Sequence, residues 1–149
     1  MTNITVPKNY GYVLGISLIA TPLLAFAHGT ITGSKRRAAN VPYPNAYATA
    51  QEMKANPAAY TFNCAQRAHA QFMEHAPQTM MYMLVAGLQY PNATIALGLG
   101  WLVARMLYLY GYIFSDKPQG RGRYLGTGFY FAQAGLWGLV GMTALKIIS

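Results

Sequence analysis

The chain has 149 residues, of which 54% are hydrophobic and only 9% charged, whereas a soluble domain commits about a quarter of its residues to Asp, Glu, Lys and Arg. That balance excludes disorder, coiled coil and collagen, and the net charge of +8, eleven Lys and Arg against three Asp and Glu, reflects scarce carboxylates rather than a nucleic-acid surface. The lone Cys64 excludes an internal disulfide framework and a cysteine-based zinc site.

In chain order, Tyr10 to Gly33 carries no charged residue, and about 20 apolar residues suffice to cross a hydrocarbon core of about 30 Å. Lys8 and the Ala25-Phe26-Ala27 stretch also fit a signal peptide, but the run is taken as a retained first span over about residues 10–33, kinked at Pro22. Ser34 to about Tyr60, with Lys35, Arg36, Arg37 and the Val41-Pro42-Tyr43-Pro44 turn, is expected to be a loop outside the membrane. A second helix is expected over about 62–90, polar in its first half and apolar after Thr79. Pro91-Asn92 makes a tight hairpin into a third helix over about 91–115, where proline suits the first turn. Asp116 to Gly122 is a polar, turn-rich loop, and a fourth helix follows over about 123–148. The expected fold is a single all-α domain, an integral membrane bundle of four transmembrane helices. Eight basic residues (Lys35, Arg36, Arg37, Lys54, Arg67, Lys117, Arg121 and Arg123) fall on the loop side against Lys8 and Lys146 opposite, so the positive-inside rule turns the loops to the cytosol.

Ionisable residues inside membrane helices are costly, which directs the search for function to helices two and three. Arg67, Gln71, Glu74, His75 and Gln78 recur at i, i+4, i+7, i+8 and i+11, one stripe of a helix. Arg105, Tyr108 and Tyr112 at i, i+3 and i+7 form a second. Facing each other, and joined by Arg36, Arg37, Arg121 and Arg123, they would line a pocket rich in guanidinium and phenol, suited to a small anion with several hydrogen-bonding groups. Blander roles stand beside this one. Arg67 and Glu74 could be a buried packing pair, the tyrosines an interfacial belt, and Lys35-Arg36-Arg37 a lipid-headgroup cluster. His28 is expected to pack or sit at the interface, Cys64 to be a packed or solvated thiol, and the methionines to be filler. No phosphate loop, dinucleotide fingerprint or His-Glu-x-x-His motif is found. His69 and His75, six apart on one helix, would not sandwich a haem iron, and neither metal nor haem is expected.

Phe62-Asn63-Cys64-Ala65-Gln66-Arg67-Ala68-His69, followed by Glu74 and Pro77, resembles the second-helix signature of the MAPEG family. Supporting pieces are Lys35-Arg36-Arg37 before Val41-Pro42-Tyr43-Pro44, Ala104-Arg105 with Tyr108, Gly111 and Tyr112, then Pro118 and Arg121-Gly122-Arg123. Within that family the letters are closest to its type-three microsomal glutathione transferases. The resemblance implies a homotrimer of four-helix subunits in an organelle membrane, the endoplasmic reticulum first and the outer mitochondrial membrane second. It also implies glutathione as co-substrate, bound in a cleft between subunits near the cytosolic face, with lipophilic electrophiles or lipid hydroperoxides arriving from the membrane lipid. Carried over by motif position, Arg36, Arg67, His69, Gln71, Glu74, His75, Tyr108 and Tyr112 would hold glutathione, and Arg123, or else Arg121, would activate its thiol. Gln71 and His75 depart from the Asn and Tyr of leukotriene-forming relatives, which puts contacts to the glutamyl end in doubt. A different class of function stands as the alternative: a non-catalytic membrane binding or scaffold protein, or an accessory subunit of a larger membrane complex.

Overall fold

A computed structural model describes residues 6–115 and 117–149. Asp116, expected at the start of the last polar loop, lies outside the described residues. All regular structure among the described residues is helical, in agreement with the all-α expectation.

Helix α1 runs over Tyr10–Ala39. Pro22 has no amide hydrogen to give the carbonyl four residues back, and the helix widens into a π segment over Gly15–Ala20 just before it. There both the backbone N–H and the hydroxyl of Thr21 reach the Ile16 carbonyl, the hydroxyl at 2.9 Å. At the other end Arg36 and Arg37 occupy the last turn, where cations complement the helix dipole, and Asn40 closes it in the left-handed region at φ 54°. The helix therefore continues past Gly33, and the triple base expected in a loop is helical. The sequence marked Gly33 as the end because the charges begin there, but charge stops a membrane run, not a helix.

Helix α2 (Ala50–Ala55) lies inside the stretch expected to be loop. Thr49 and Glu52 form a reciprocal capping box, Thr49 Oγ1 accepting from the Glu52 amide at 3.2 Å and Glu52 Oε2 from the Thr49 amide at 2.7 Å. These hydrogen bonds, the backbone one first, hold the Glu52 carboxyl below its ordinary range. A lowered folded-state pKa means that the cap's contribution is complete above the ordinary carboxylate range and fades as pH falls through the lowered value. Thr49→Ala should accordingly speed amide exchange across α2 roughly fivefold at neutral pH, and the gap should close at low pH. Unchanged exchange in the variant would contradict the cap.

Helix α3 (Pro57–Gly87) starts with Pro57 in its first turn and Asn56 Oδ1 accepting from the Ala58 amide at 2.9 Å. It begins and ends earlier than the expected 62–90, since Leu88 to Tyr90 form the hairpin before α4 (Pro91–Phe114). A 3-10 segment follows over Pro118–Gly126, and α5 spans Phe129–Ile148. Residues 123–126, expected to open the last helix, belong instead to the 3-10 segment, because Gly122 and Gly126 let its backbone sit directly against that of α4. α3 packs against α1, α4 and α5, with Phe72, Met83, Trp101, Phe129 and Leu136 at the centre of the core. Ala65, Ala68, Ala76 and Ala86 on its buried face let the neighbouring backbones approach.

Among the described residues, three helices are long and apolar enough to cross a membrane: α1, α4 and α5. α3 is not in that set, because its first half carries Arg67, His69, Gln71, Glu74, His75 and Gln78. With the outward faces of α1 and α5 strongly apolar, this is the build of an integral membrane protein.

Candidate functional site

Asn63 Oδ1 accepts from the Ala48 amide and its Nδ2 donates to the Ala48 carbonyl, both at 2.8 Å, which fastens the loop before α2 to α3. One residue earlier the fully buried Phe62 ring lies under the Arg36 guanidinium at 4.6 Å, with Tyr43 against it at 4.4 Å. One residue later, Cys64 turns to a cavity of about 280 Å³ lined also by Tyr47, Tyr60, Arg67, Tyr112 and Gly120. The Phe-Asn-Cys signature thus fastens a loop to α3 and leaves an open space beside it.

That cavity lies at the small end of ligand pockets, which run from about 300 to 1,000 Å³. Its rim is tied across the fold by the Gly120 amide, which donates to Tyr60 Oη at 2.8 Å. Gln119 and Gly120 both take positive φ, 58° and 62°, so that the chain doubles back under Tyr112. Arg123 is half-buried just beyond. Its Nη1 donates to the Gln119 and Gly120 carbonyls at 3.0 Å, its Nη2 donates to Tyr124 Oη at 3.2 Å, and its guanidinium lies 5.8 Å from the Tyr112 ring. Arg121, two residues earlier, is exposed.

The two polar stripes meet. Arg67 Nη1 pairs with Glu74 Oε1 at 3.1 Å, with both side chains half exposed, so the pair is not the buried packing device weighed from sequence. Arg105 on α4 is fully buried and donates from Nη1 to Gln71 Oε1. Its guanidinium sits among Phe129 at 4.4 Å, Tyr108 at 5.0 Å, Phe72 at 5.2 Å and Trp101 at 5.8 Å. No carboxylate pairs with it among the described residues; electron-rich ring faces take that place. Tyr108 and Tyr112 meet edge to face at 5.4 Å. A run of contacts therefore links Arg123, Tyr112, Tyr108 and Arg105 to Gln71.

Two predicted residues stand apart from this grouping within the chain. Arg36 is buried and donates to the Asn45 carbonyl at 2.6 Å. His69 lies on the α1 side of α3, its ring 6.3 Å from that of His28 and near Gly29. His28 itself is fully buried against Phe72 at 4.7 Å, a packing residue rather than an interfacial one.

Residues not singled out from sequence reach the α3 stripe from α5. Gln71 Nε2 donates to Tyr130 Oη at 3.2 Å, and His75 Nδ1 lies 2.8 Å from Gln133 Oε1. His75, Tyr82, Tyr130, Gln133, Ala134 and Trp137 line a second recess of about 200 Å³ between α3 and α5. Gln133 was the available signal: an amide three residues after Tyr130, on a helix otherwise almost free of polar side chains.

The model of the MAPEG family matches residues 14–142, a stretch that takes in α2, α3, α4 and both recesses. That family includes glutathione transferases and related membrane enzymes. The signature on α3, the paired stripes of α3 and α4 and the match over most of its length agree: the chain belongs to the MAPEG family.

Proposed function

We propose that the protein is a membrane-bound glutathione transferase with glutathione peroxidase activity, nearest to the type-three microsomal enzymes. It works as a homotrimer of four-span subunits in the endoplasmic reticulum membrane, with the loops facing the cytosol. The observation that carries the reading is one open cavity lined by Arg67, Tyr47, Tyr60 and Tyr112, with Glu74 paired to Arg67 and the Arg123 guanidinium 5.8 Å from the Tyr112 ring. Glutathione has two carboxylates, an ammonium and a thiol. Guanidinium groups clamp carboxylates in a bidentate manner, and Glu74 is the acid available for the ammonium. The cavity within one chain is small for a tripeptide, which fits a cleft completed by a neighbouring subunit, and Arg36 and His69 would then act on that shared face.

A free thiol has a pKa of about 8.5, so only a few per cent is thiolate at neutral pH. Arg123, with Nε remaining beyond its carbonyl and phenol contacts, is the guanidinium assigned to the sulfur; Arg121 is the substitute. Thiolate attack on an electrophilic carbon gives a conjugate. Attack on a peroxide gives an alcohol and, with a second thiol, glutathione disulfide. Arg67→Ala removes a carboxylate clamp and frees Glu74, so it should weaken glutathione binding about tenfold or more while turnover at saturation changes little. An unchanged dissociation constant would remove Arg67 from the site.

A second reading, a non-catalytic binding or scaffold protein, draws on Arg123 itself, two of whose nitrogens already hold backbone and phenol groups. Assays of the detergent-purified protein with glutathione and either an aryl chloride or an organic hydroperoxide decide between the two. Saturable turnover of either substrate supports the enzyme; glutathione binding without turnover of any electrophile supports the scaffold.

A further inference from the structure

The hydrogen bonds between α3, α4 and α5 have a direction. Arg105 has donors only, so Gln71 Oε1 must accept from it. The amide of Gln71 is thereby fixed with Nε2 outward, and Nε2 donates to Tyr130 Oη. The phenol oxygen therefore accepts, and its own proton is left to donate elsewhere. Tyr130 is half exposed and lines the recess between α3 and α5. Beside it, His75 meets its ring edge-on at 5.6 Å. Gln133 Oε1 lies 2.8 Å from Nδ1 of His75, and Gln78 Nε2 lies 3.5 Å from the same nitrogen. A phenol with its O–H free to donate and an imidazole thus line one recess between α3 and α5.

We infer that Tyr130 is a catalytic proton donor for electrophiles whose leaving atom is oxygen, hydroperoxides and epoxides, and that Arg105 and Gln71 are its positioning residues. The inference rests on the glutathione reading above and deepens it by naming the substrate class. With a hydroperoxide, the thiolate sulfur attacks the terminal oxygen, the S–O bond forms and the O–O bond breaks. The departing alkoxide takes the Tyr130 proton and leaves as the alcohol. Water returns a proton to the phenolate. The sulfenic acid of the first glutathione then condenses with a second glutathione to give the disulfide and water, so sulfur is oxidised by two electrons and the peroxide reduced by two. With an epoxide, the thiolate attacks carbon and the opened alkoxide takes the same proton. An aryl chloride expels chloride and calls for no proton.

The test is the ratio of hydroperoxide turnover to aryl-chloride turnover in full-length protein in detergent. Tyr130→Phe should lower that ratio at least ~10-fold, the low side of what a positioned general acid contributes. Gln71→Glu tests the positioning without removing the phenol. The carboxylate still pairs with Arg105 but can no longer donate to Tyr130, whose proton turns to it, and the ratio should fall again. A ratio within about twofold of wild type in Tyr130→Phe overturns the proton-donor role. A fall in Tyr130→Phe with an unchanged ratio in Gln71→Glu overturns the positioning role. Wild-type protein that turns over neither substrate removes the glutathione reading and this inference with it, whereas an unchanged ratio in active protein removes this inference alone.

Discussion

Arg123→Ala is expected to lower turnover with any electrophile by about 10²–10³-fold, the range seen when one preorganised charge-stabilising donor is lost. Glutathione affinity should fall far less, because Arg67, Glu74 and Tyr112 remain. Each unit by which the thiol pKa is lowered corresponds to roughly 1.4 kcal/mol in favour of the thiolate. Arg123→Lys should recover little, since a compact, strongly hydrated ammonium is placed differently from a planar guanidinium. The split between turnover and binding in steady-state kinetics and direct titration is the check. Full turnover in Arg123→Ala would shift thiol activation to Arg121.

Gly122→Ala is expected to damage both stability and activity, although it adds one methyl group far smaller than most tolerated changes. A Cβ on Gly122 would run into the Gly111 carbonyl oxygen and Ser115 Cβ, with the Gly111 carbonyl carbon at 2.8 Å; a Cβ on Gly111 would meet the Gly122 backbone in return. Two backbones in mutual contact cannot yield as a flexible side chain does, so the 3-10 segment must lift from α4. Overpacking of this kind costs about 1–3 kcal/mol, and Arg123 is the next residue along the displaced chain. A shift of about 1 Å at a positioning group costs on the order of 100-fold in rate. Gly11→Ala, where nothing lies within 4 Å of the added atom, should change the melting temperature little. Wild-type stability and turnover in Gly122→Ala would show that the segment tolerates displacement.

Much of the architecture was legible from charge and periodicity. The apolar runs located α1, α4 and α5, and Pro91 marked the hairpin. The facing stripes were legible because a 3.6-residue period puts Gln71 and Arg105 on inward faces, where they hydrogen-bond. Helix ends were less legible. The triple base looked like loop because charges halt a hydrophobic run, yet Arg36 and Arg37 extend the helix at the end where its dipole favours them. The capping box of Thr49 and Glu52 is written in the sequence, but the charges and the Pro42 and Pro44 turn around it read as loop. The 3-10 segment was hidden because its path depends on glycine contacts with α4 more than 10 residues away in sequence, which no local pattern announces. Tyr130 and Gln133 were missed for a related reason: α5 reads as a plain span, and their roles come from Gln71 and His75 across the helix pair.

The central claim is that this chain binds glutathione and holds it as the thiolate. Glutathione should be titrated into the detergent-purified protein at neutral pH while thiolate absorbance in the ultraviolet and melting temperature are followed together. Saturable growth of the thiolate band with a parallel rise in melting temperature is the expected result, because a ligand that binds only the folded state stabilises it by mass action. A flat melting temperature with no thiolate band at saturating glutathione would contradict the claim.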